Sequence, residues 1–361
     1  MKNPVERIRE LLLKNHPERA AVVYTPHNRR YLTEFPSSDG ALVITGDEAV
    51  LFQDSRYVEA AAEQAKYCEV RPFTNLYESV NEVIKKSGAK EVLFETQKLT
   101  YAVAARFAKE LDAFGVKAVL DSQLDDACIA MRQIKSPEEI KKMEDAQAIT
   151  DATFKHILGY LKEGVTEREI ALEIEFHMRK LGAEGNAFDP IVVFGTNSSR
   201  PHGVPGDKKL APGDFVTMDT GAMKAGYNSD MTRTVAFGYA TDEMKALYNK
   251  VLEAQLAVID ALKPGMRCCD VDKIARDIID AVPEYKGYFG HGLGHGVGFE
   301  IHEWPRFSRL DETLTQPGMV ITDEPGIYIP GKFGVRIEDM LLVTEDGCKT
   351  MTGSPKELMV I

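Results

Sequence analysis

Asp219, Asp230, His295, Glu324 and Glu338 are four carboxylates and one imidazole, each in a short segment that reads as strand or glycine-rich loop. Four negative charges brought into one pocket would force protonation of some of them unless a cation compensates. A pair of divalent metals compensates well, and two metals sharing one activated water make a hydrolytic site.

Two hairpins would position the carboxylates. Asp219 and Asp230 flank Met223-Lys224-Ala225-Gly226, and folding two strands about that turn makes them direct cross-strand partners. Such partners have Cβ atoms ~4.5–5.5 Å apart on one face, close enough to share ions ~3.5–4 Å apart. Glu324 and Glu338 are related in the same way about Gly331, within Pro330-Gly331-Lys332. A bulge in either hairpin would slip the register by one and turn a carboxylate away. An aspartate near a turn is ordinary turn chemistry. Two hairpins that each gather acids on one face, with Asp depleted in strand interiors, favour a functional reading.

Gly290 to Glu303 carries His291, His295 and His302 among five glycines, which permit positive-φ turns and close backbone approach. A nucleotide-binding G-x-G-x-x-G starting at Gly290 fails because His stands at position 295. A zinc reading lacks cysteine and the helical H-E-x-x-H spacing. What remains is a flexible loop presenting imidazoles to a cavity, one as a metal ligand and others as donors to a carbonyl or oxyanion. His202, in the turn Arg200-Pro201-His202-Gly203, is ambiguous by itself, while His16, His27, His156 and His177 read as structural.

The elements that must hold these residues belong to a two-domain chain, since 361 residues exceed one ordinary core. With 44% hydrophobic and 28% charged residues, the composition is that of a soluble globular protein. A net charge of -12 argues against a nucleic-acid partner. The five scattered cysteines form no disulfide framework and suit a reducing cytosol. The charged N-terminus lacks the apolar core of a signal peptide, and no stretch approaches the ~20 apolar residues of a membrane span. The expectation is a cytoplasmic protein with no membrane partner.

Residues 1–130 alternate strand-like runs (Ala20 to Tyr24, Ala41 to Ile44, Ala49 to Phe52, Glu91 to Phe94) with helical patterns at Val58 to Lys66 and Thr100 to Leu111. That is an α/β domain. The boundary falls near Met131, because Ser136, Pro137 and Glu139 form a capping box that opens a long helix to about Leu161. Thr166 caps a second helix to about Leu181. Beyond Phe188, strand-like runs (Pro190 to Phe194, Phe215 to Gly221, Asn228 to Phe237, Met319 to Ile329, Val335 to Val343) enclose helices at Glu243 to Leu262 and Asp270 to Val282. Residues 131–361 thus read as an α+β domain with a mainly antiparallel sheet under a helical cover.

These segments resemble the pita-bread fold metallopeptidases, the family of Xaa-Pro aminopeptidases, Xaa-Pro dipeptidases (prolidases) and methionine aminopeptidases. The likeness rests on Val216 to Ala222, Asn228 to Thr234, Gly290 to Glu303, Glu324 to Tyr328 and Gly334 to Asp339, and covers about residues 140 to 361. Asn28 to Thr33 and Asp54 to Tyr57 match the family's two-domain, proline-directed branch. Thr220 and Asp323 depart from its pattern, and strand alternation should turn Asp323 away from the metals.

The resemblance implies a curved sheet, a homodimer and a dinuclear site. Asp219 and Asp230 would hold one metal, His295 and Glu324 the other, with Asp230 and Glu338 bridging. Oxygen-rich ligation favours Mn(II), with Co(II) or Zn(II) as alternatives. Glu324 would act as general base and then acid. His302 and His202 would bind the substrate carbonyl and oxyanion, and His291 would line the proline-side pocket. Arg336 would orient carboxylates from behind. The implied substrate is a short peptide with proline second, cleaved after its first residue. The preferred reading is an Xaa-Pro aminopeptidase. A prolidase is the alternative, and a metal-free peptide-binding protein on the same fold a more distant one.

Overall fold

In the computed structural model, which describes residues 2–361, the chain forms two compact units divided between Arg132 and Gln133. No helix among the described residues is long and apolar enough to cross a membrane.

The C-terminal unit is built from antiparallel strand pairs under four long helices. Ser136 and Thr166 both make full capping boxes, with Glu139 and Glu169, and open the helices Pro137–Leu158 and Glu167–Lys180. These two helices pack Ile149, Phe154, Ile157, Ile170, Ile174 and Met178 against Val192, Val216, Met218 and Val235 of one sheet. That sheet is Ile191–Phe194, Phe215–Thr220 and Met231–Ala236. The helices Asp242–Ala261 and Cys268–Asp280 bury Leu247, Val251, Val271 and Ala275 with Phe307, Ile321 and Leu341 of a second sheet. Its strand order is Glu303–Phe307, Gly294–Gly296, Val320–Asp323, Asp339–Val343, Cys348–Thr350.

The runs expected to be continuous strands are interrupted where the acids sit. Asn228 to Phe237 breaks between Tyr227–Asn228 and Met231–Ala236, at Ser229-Asp230. Met319 to Ile329 breaks into Val320–Asp323 and Gly326–Ile329, at Glu324-Pro325, and its two halves belong to different sheets. Val335 to Val343 breaks at Ile337-Glu338. Each break lifts one carboxylate out of the ladder and lets its strand change partners.

Gly290 to Glu303 is also tighter than a flexible loop. Gly294–Gly296 is a buried strand, and none of these five glycines has a positive φ. They are needed for close approach: a Cβ on Gly294 would stand 1.9 Å from the Thr322 carbonyl oxygen, and one on Gly296 2.6 Å from that of Trp304. His156 and His177 are structural, as expected. Their rings stack at 3.9 Å, and they bond Glu173 (2.7 Å) and Thr153 (3.1 Å) respectively.

The N-terminal unit is a mixed six-stranded sheet. Arg19–Val23 lies between antiparallel Ala41–Ile44 and parallel Glu91–Phe94, with Ala49–Gln53 and Glu69–Pro72 beyond one and Lys117–Val119 beyond the other. The two outermost strands escaped the sequence reading because an edge tolerates Glu69, Arg71, Pro72 and Lys117 in place of an apolar run. Asn28 to Thr33 lies in an unexpected helix, Pro26–Thr33. There Arg29 is buried and donates to the carbonyls of Tyr24, Ser37 and Gly40, fixing the loop that follows. Glu95 is buried at the N-terminus of that helix and accepts from the Tyr24 and Thr25 amides at 2.6 and 2.8 Å and from Asn28 Nδ2 at 2.6 Å.

Replacing Glu95 by Ala strands those donors and removes an anion from a helix N-terminus. The free energy of opening residues 19–33, read by hydrogen exchange, should fall by about 2–4 kcal/mol. Unchanged protection there would contradict this account.

Candidate metal centre

All five residues singled out as ligands line one cavity of about 410 Å³, which His202, His291, His302 and Arg336 also line. The two hairpins deliver them differently. Val320–Asp323 pairs with Asp339–Val343, and Gly326–Ile329 with Phe333–Arg336, in one continuous register that sets position 324 opposite 338, as expected. The other hairpin is displaced by two residues. Asp219 faces Thr232, and Asp230 lies diagonally beyond it.

The displacement has a local cause. The turn is the two residues Ala225-Gly226, with φ of 49° and 80°, between the paired Lys224 and Tyr227. Positive φ at both central residues is the type I′ hairpin geometry. A two-residue slip keeps side chains on the same face, whereas a one-residue slip would have reversed them.

His295 is fixed by its backbone N–H, which donates to Thr322 Oγ1 at 3.0 Å, and by Nδ1, which donates to the Gly296 carbonyl at 3.1 Å. Nε2 then carries its lone pair towards Asp230 Oδ2 and Glu324 Oε1, each 3.6 Å away. Burial, aided by His302, pushes the imidazole down to about 3, so it is neutral and makes no ion pair with either acid. One donor atom from each of Asp230, His295 and Glu338 lies within 4.8 Å of the others.

The acids carry the cost of this crowding. Burial, then Asp219 and Glu324, raises Asp230 well above the carboxylate range. Burial, then Asp230 and Glu324, does the same to Glu338. Burial lifts Glu324 to about 8 against the pull of Arg336. Asp219 Oδ1 is buried without a partner. Without a cation the cluster stays partly protonated and one oxygen is stranded; divalent ions relieve both conditions. The donor set therefore fits divalent metal.

Arg336, expected beside Glu338, is bonded to Asp219 instead. It donates to Asp219 Oδ2 at 2.6 Å and reaches Glu338 only through Thr232, whose hydroxyl accepts from Arg336 Nε at 2.9 Å and donates to Glu338 Oε2 at 2.6 Å. Tyr328 closes the group: its oxygen accepts from Arg336 Nη1 at 2.9 Å and its hydroxyl donates to His291 Nε2 at 3.0 Å. His291 Nδ1 donates to the Gly292 carbonyl at 2.8 Å, so both ring nitrogens are spent inside the protein. His291 lines the cavity with its ring alone. His302 and His202 are exposed in the cavity, and the His302 ring lies 4.4 Å from that of His295.

Asp323 is buried opposite Asp339 and does not line the cavity, so the ligand set gains no charge from it. Thr220 pairs with Met231 and also stays out of the cavity. Sequence reasoning passed over Thr232, Tyr328 and Arg306. Thr232 and Arg306 were legible by period-two spacing, from Asp230 and from His302. Tyr328 stands at the same spacing from Glu324, but its bonds to Arg336 and His291 are not legible from that position.

Residues 141–345 match Metallopeptidase family M24, and residues 4–123 match the Creatinase/Prolidase N-terminal domain. An Xaa-Pro dipeptidase of Pyrococcus furiosus is 39% identical over 360 residues, 99% of this chain and 100% of that one. The structure of an Xaa-Pro dipeptidase from Bacillus anthracis superposes with a TM-score of 0.93 at 39% identity, covering 99% of both chains. That of an X-Pro aminopeptidase from Thermotoga maritima gives 0.91 at 32%, covering 99% of this chain and 100% of that one. With its clustered acids and single neutral imidazole, this chain belongs to metallopeptidase family M24, preceded by a creatinase/prolidase N-terminal domain.

Proposed function

We propose that the protein is an Xaa-Pro dipeptidase that hydrolyses the bond before proline in a dipeptide. The observation that carries this reading is Arg306. It lies on the exposed face of Glu303–Phe307, four residues from His302, and lines the same cavity. Among the described residues, no carboxylate pairs with its guanidinium. A dipeptide presents a carboxylate directly after its proline ring, and a guanidinium pairs with carboxylate in a planar fork. A longer peptide has a neutral amide there. The 39% identical relatives named Xaa-Pro dipeptidase support the same choice. Aminopeptidase activity, preferred from sequence, becomes the second reading, favoured by the Thermotoga maritima structure. A metal-free binding role has no support from the ligand set, which is complete.

Asp219, Asp230, His295, Glu324 and Glu338 would hold two divalent ions, with Mn(II) or Co(II) suited to so many oxygens and Zn(II) less so. Such ions supply an acidified water and polarise a carbonyl. Glu324 takes the proton from the attacking water. As the C–N bond breaks, it passes that proton to the proline nitrogen, which leaves as a secondary amine. His302 and His202 donate to the carbonyl oxygen as it gains charge. Arg336 and Thr232 hold Asp219 and Glu338 in place throughout.

With Mn(II), Ala-Pro should be cleaved at least about tenfold faster, in kcat/KM, than Ala-Pro-Ala or Ala-Pro amide, a gap that one charge-assisted pair can supply. Arg306→Ala should erase that preference through KM. Equal rates on all three peptides would favour the aminopeptidase reading.

Asp230→Asn should lower kcat at least about 100-fold while the melting temperature of the metal-free protein does not fall, because a neutral isostere replaces an acid that burial already disfavours. Parent-like turnover would contradict the assignment.

Glu324 holds its proton to about 8 when folded, against 4.5 as its ordinary value. Its contribution to the stability of chelated protein is therefore full below about 4.5 and is lost as pH rises through about 8. Glu324→Gln should remove that part of the slope. Loading Mn(II) at pH 7 should release protons, seen as a buffer-dependent heat; heats independent of the buffer would count against a protonated cluster.

A further inference from the structure

We infer that Arg233 and the C-terminal segment Ser354 to Lys356 form a positioning latch for Glu338; this rests on the metal-site reading above. The Glu338 carboxylate faces the cavity, and its neighbour Asp339 faces the opposite side of the sheet. In the same way Thr232 reaches Glu338 from the cavity side, and Arg233 lies fully buried behind it.

All five N–H donors of that guanidinium are used. Nε donates to the Pro355 carbonyl at 2.8 Å. Nη1 donates to the carbonyls of Thr232 at 2.9 Å and Glu338 at 2.6 Å. Nη2 donates to Asp339 Oδ1 at 2.7 Å and the Ser354 carbonyl at 2.8 Å. Glu338 is thus held at its N–H, its carbonyl and one carboxylate oxygen. Its N–H donates to the Thr232 carbonyl at 3.1 Å, its carbonyl accepts from Arg233, and its Oε2 accepts from the Thr232 hydroxyl at 2.6 Å. Position 338 lies outside both flanking ladders, so no regular strand pairing does this instead.

A buried guanidinium with one carboxylate partner depends on where that carboxylate sits. The second oxygen of Asp339 takes Gln255 Nε2 at 2.7 Å and the Lys356 ammonium, and the Lys356 carbonyl accepts from Tyr248 at 2.8 Å. The C-terminal segment therefore supplies two carbonyls to Arg233 and one cation to Asp339. None of these side chains lines the cavity, so they act on the reaction only through the backbone of Thr232 and Glu338.

Changing Arg233 risks the fold, so the test uses Lys356, which is only half-buried. Mn(II) binding to full-length protein is measured by electron paramagnetic resonance, and melting is measured on metal-free protein. Lys356→Met should weaken Mn(II) binding about tenfold, the scale seen for groups that orient a ligand from behind. Lys356→Arg should restore it to within about twofold, and the metal-free melt of both should stay near that of the parent. Mn(II) affinity unchanged in Lys356→Met, or a loss that Lys356→Arg does not restore, overturns the latch. A parent protein that binds no Mn(II) overturns instead the metal-centre reading on which the latch rests.

Discussion

Buried like charge is the constraint around which the C-terminal unit is arranged. Asp230 and Glu338 are almost wholly shielded from water, and Glu324 and Asp219 face them across the same cavity. Hydrophobic packing gives no reason to collect such groups. The structure meets the charge partly with Arg336 on Asp219, partly by protonation, and leaves one Asp219 oxygen without a partner. A neutral His295 adds a donor without adding a positive charge. Divalent cations are the complement such a set lacks, and family membership agrees with that.

Strand interruption is how the fold meets the constraint. A carboxylate within a regular ladder points to one face at a fixed spacing, and four of them cannot converge from parallel rows. Breaks at Ser229-Asp230, Glu324-Pro325 and Ile337-Glu338 release three of them, and the polar backbone left over finds specific partners. The Glu324 N–H donates to the Leu293 carbonyl at 2.8 Å, and the Glu338 N–H to that of Thr232 at 3.1 Å. Gly294 and Gly296 serve the same end, letting the strand that carries His295 approach its neighbours more closely than a Cβ would allow.

Much of this is legible in the sequence, and what is not has identifiable causes. The Glu324–Glu338 register follows from a turn centred on Gly331, which has a positive φ of 74°. The Asp219–Asp230 register is missed because Ala225, a residue with a Cβ, takes the left-handed conformation in a two-residue turn. Pattern reading puts the turn elsewhere, yet the face is still right, because the error is an even number of residues. Capping boxes at Ser136 and Thr166 fix two helix starts, since their geometry is local. The helix Pro26–Thr33 is not local in that sense. Thr25 makes no side-chain cap, and Glu95 arrives from a distant strand. The positions of Thr232 and Arg306 follow from alternation, but their roles depend on which strands meet.

Alternation also explains why acids stand in pairs along this sheet. Glu324 and Glu338 face the cavity, and Asp323 and Asp339 face away, directly opposite one another. The outward pair is stabilised by other means. Asp339 is held below its ordinary value despite burial, by Arg233 and Lys356, while burial and Asp339 drive Asp323 well above its own. Asp339 is therefore the more acidic of the outward pair, and it is the one that Arg233 ties to the Glu338 carbonyl. A sheet with apolar residues behind its metal ligands would hold those ligands by packing alone. Here a charged network behind the sheet fixes the backbone of Glu338, and the charge gathered at the cavity is matched by a second, protein-compensated set one residue away.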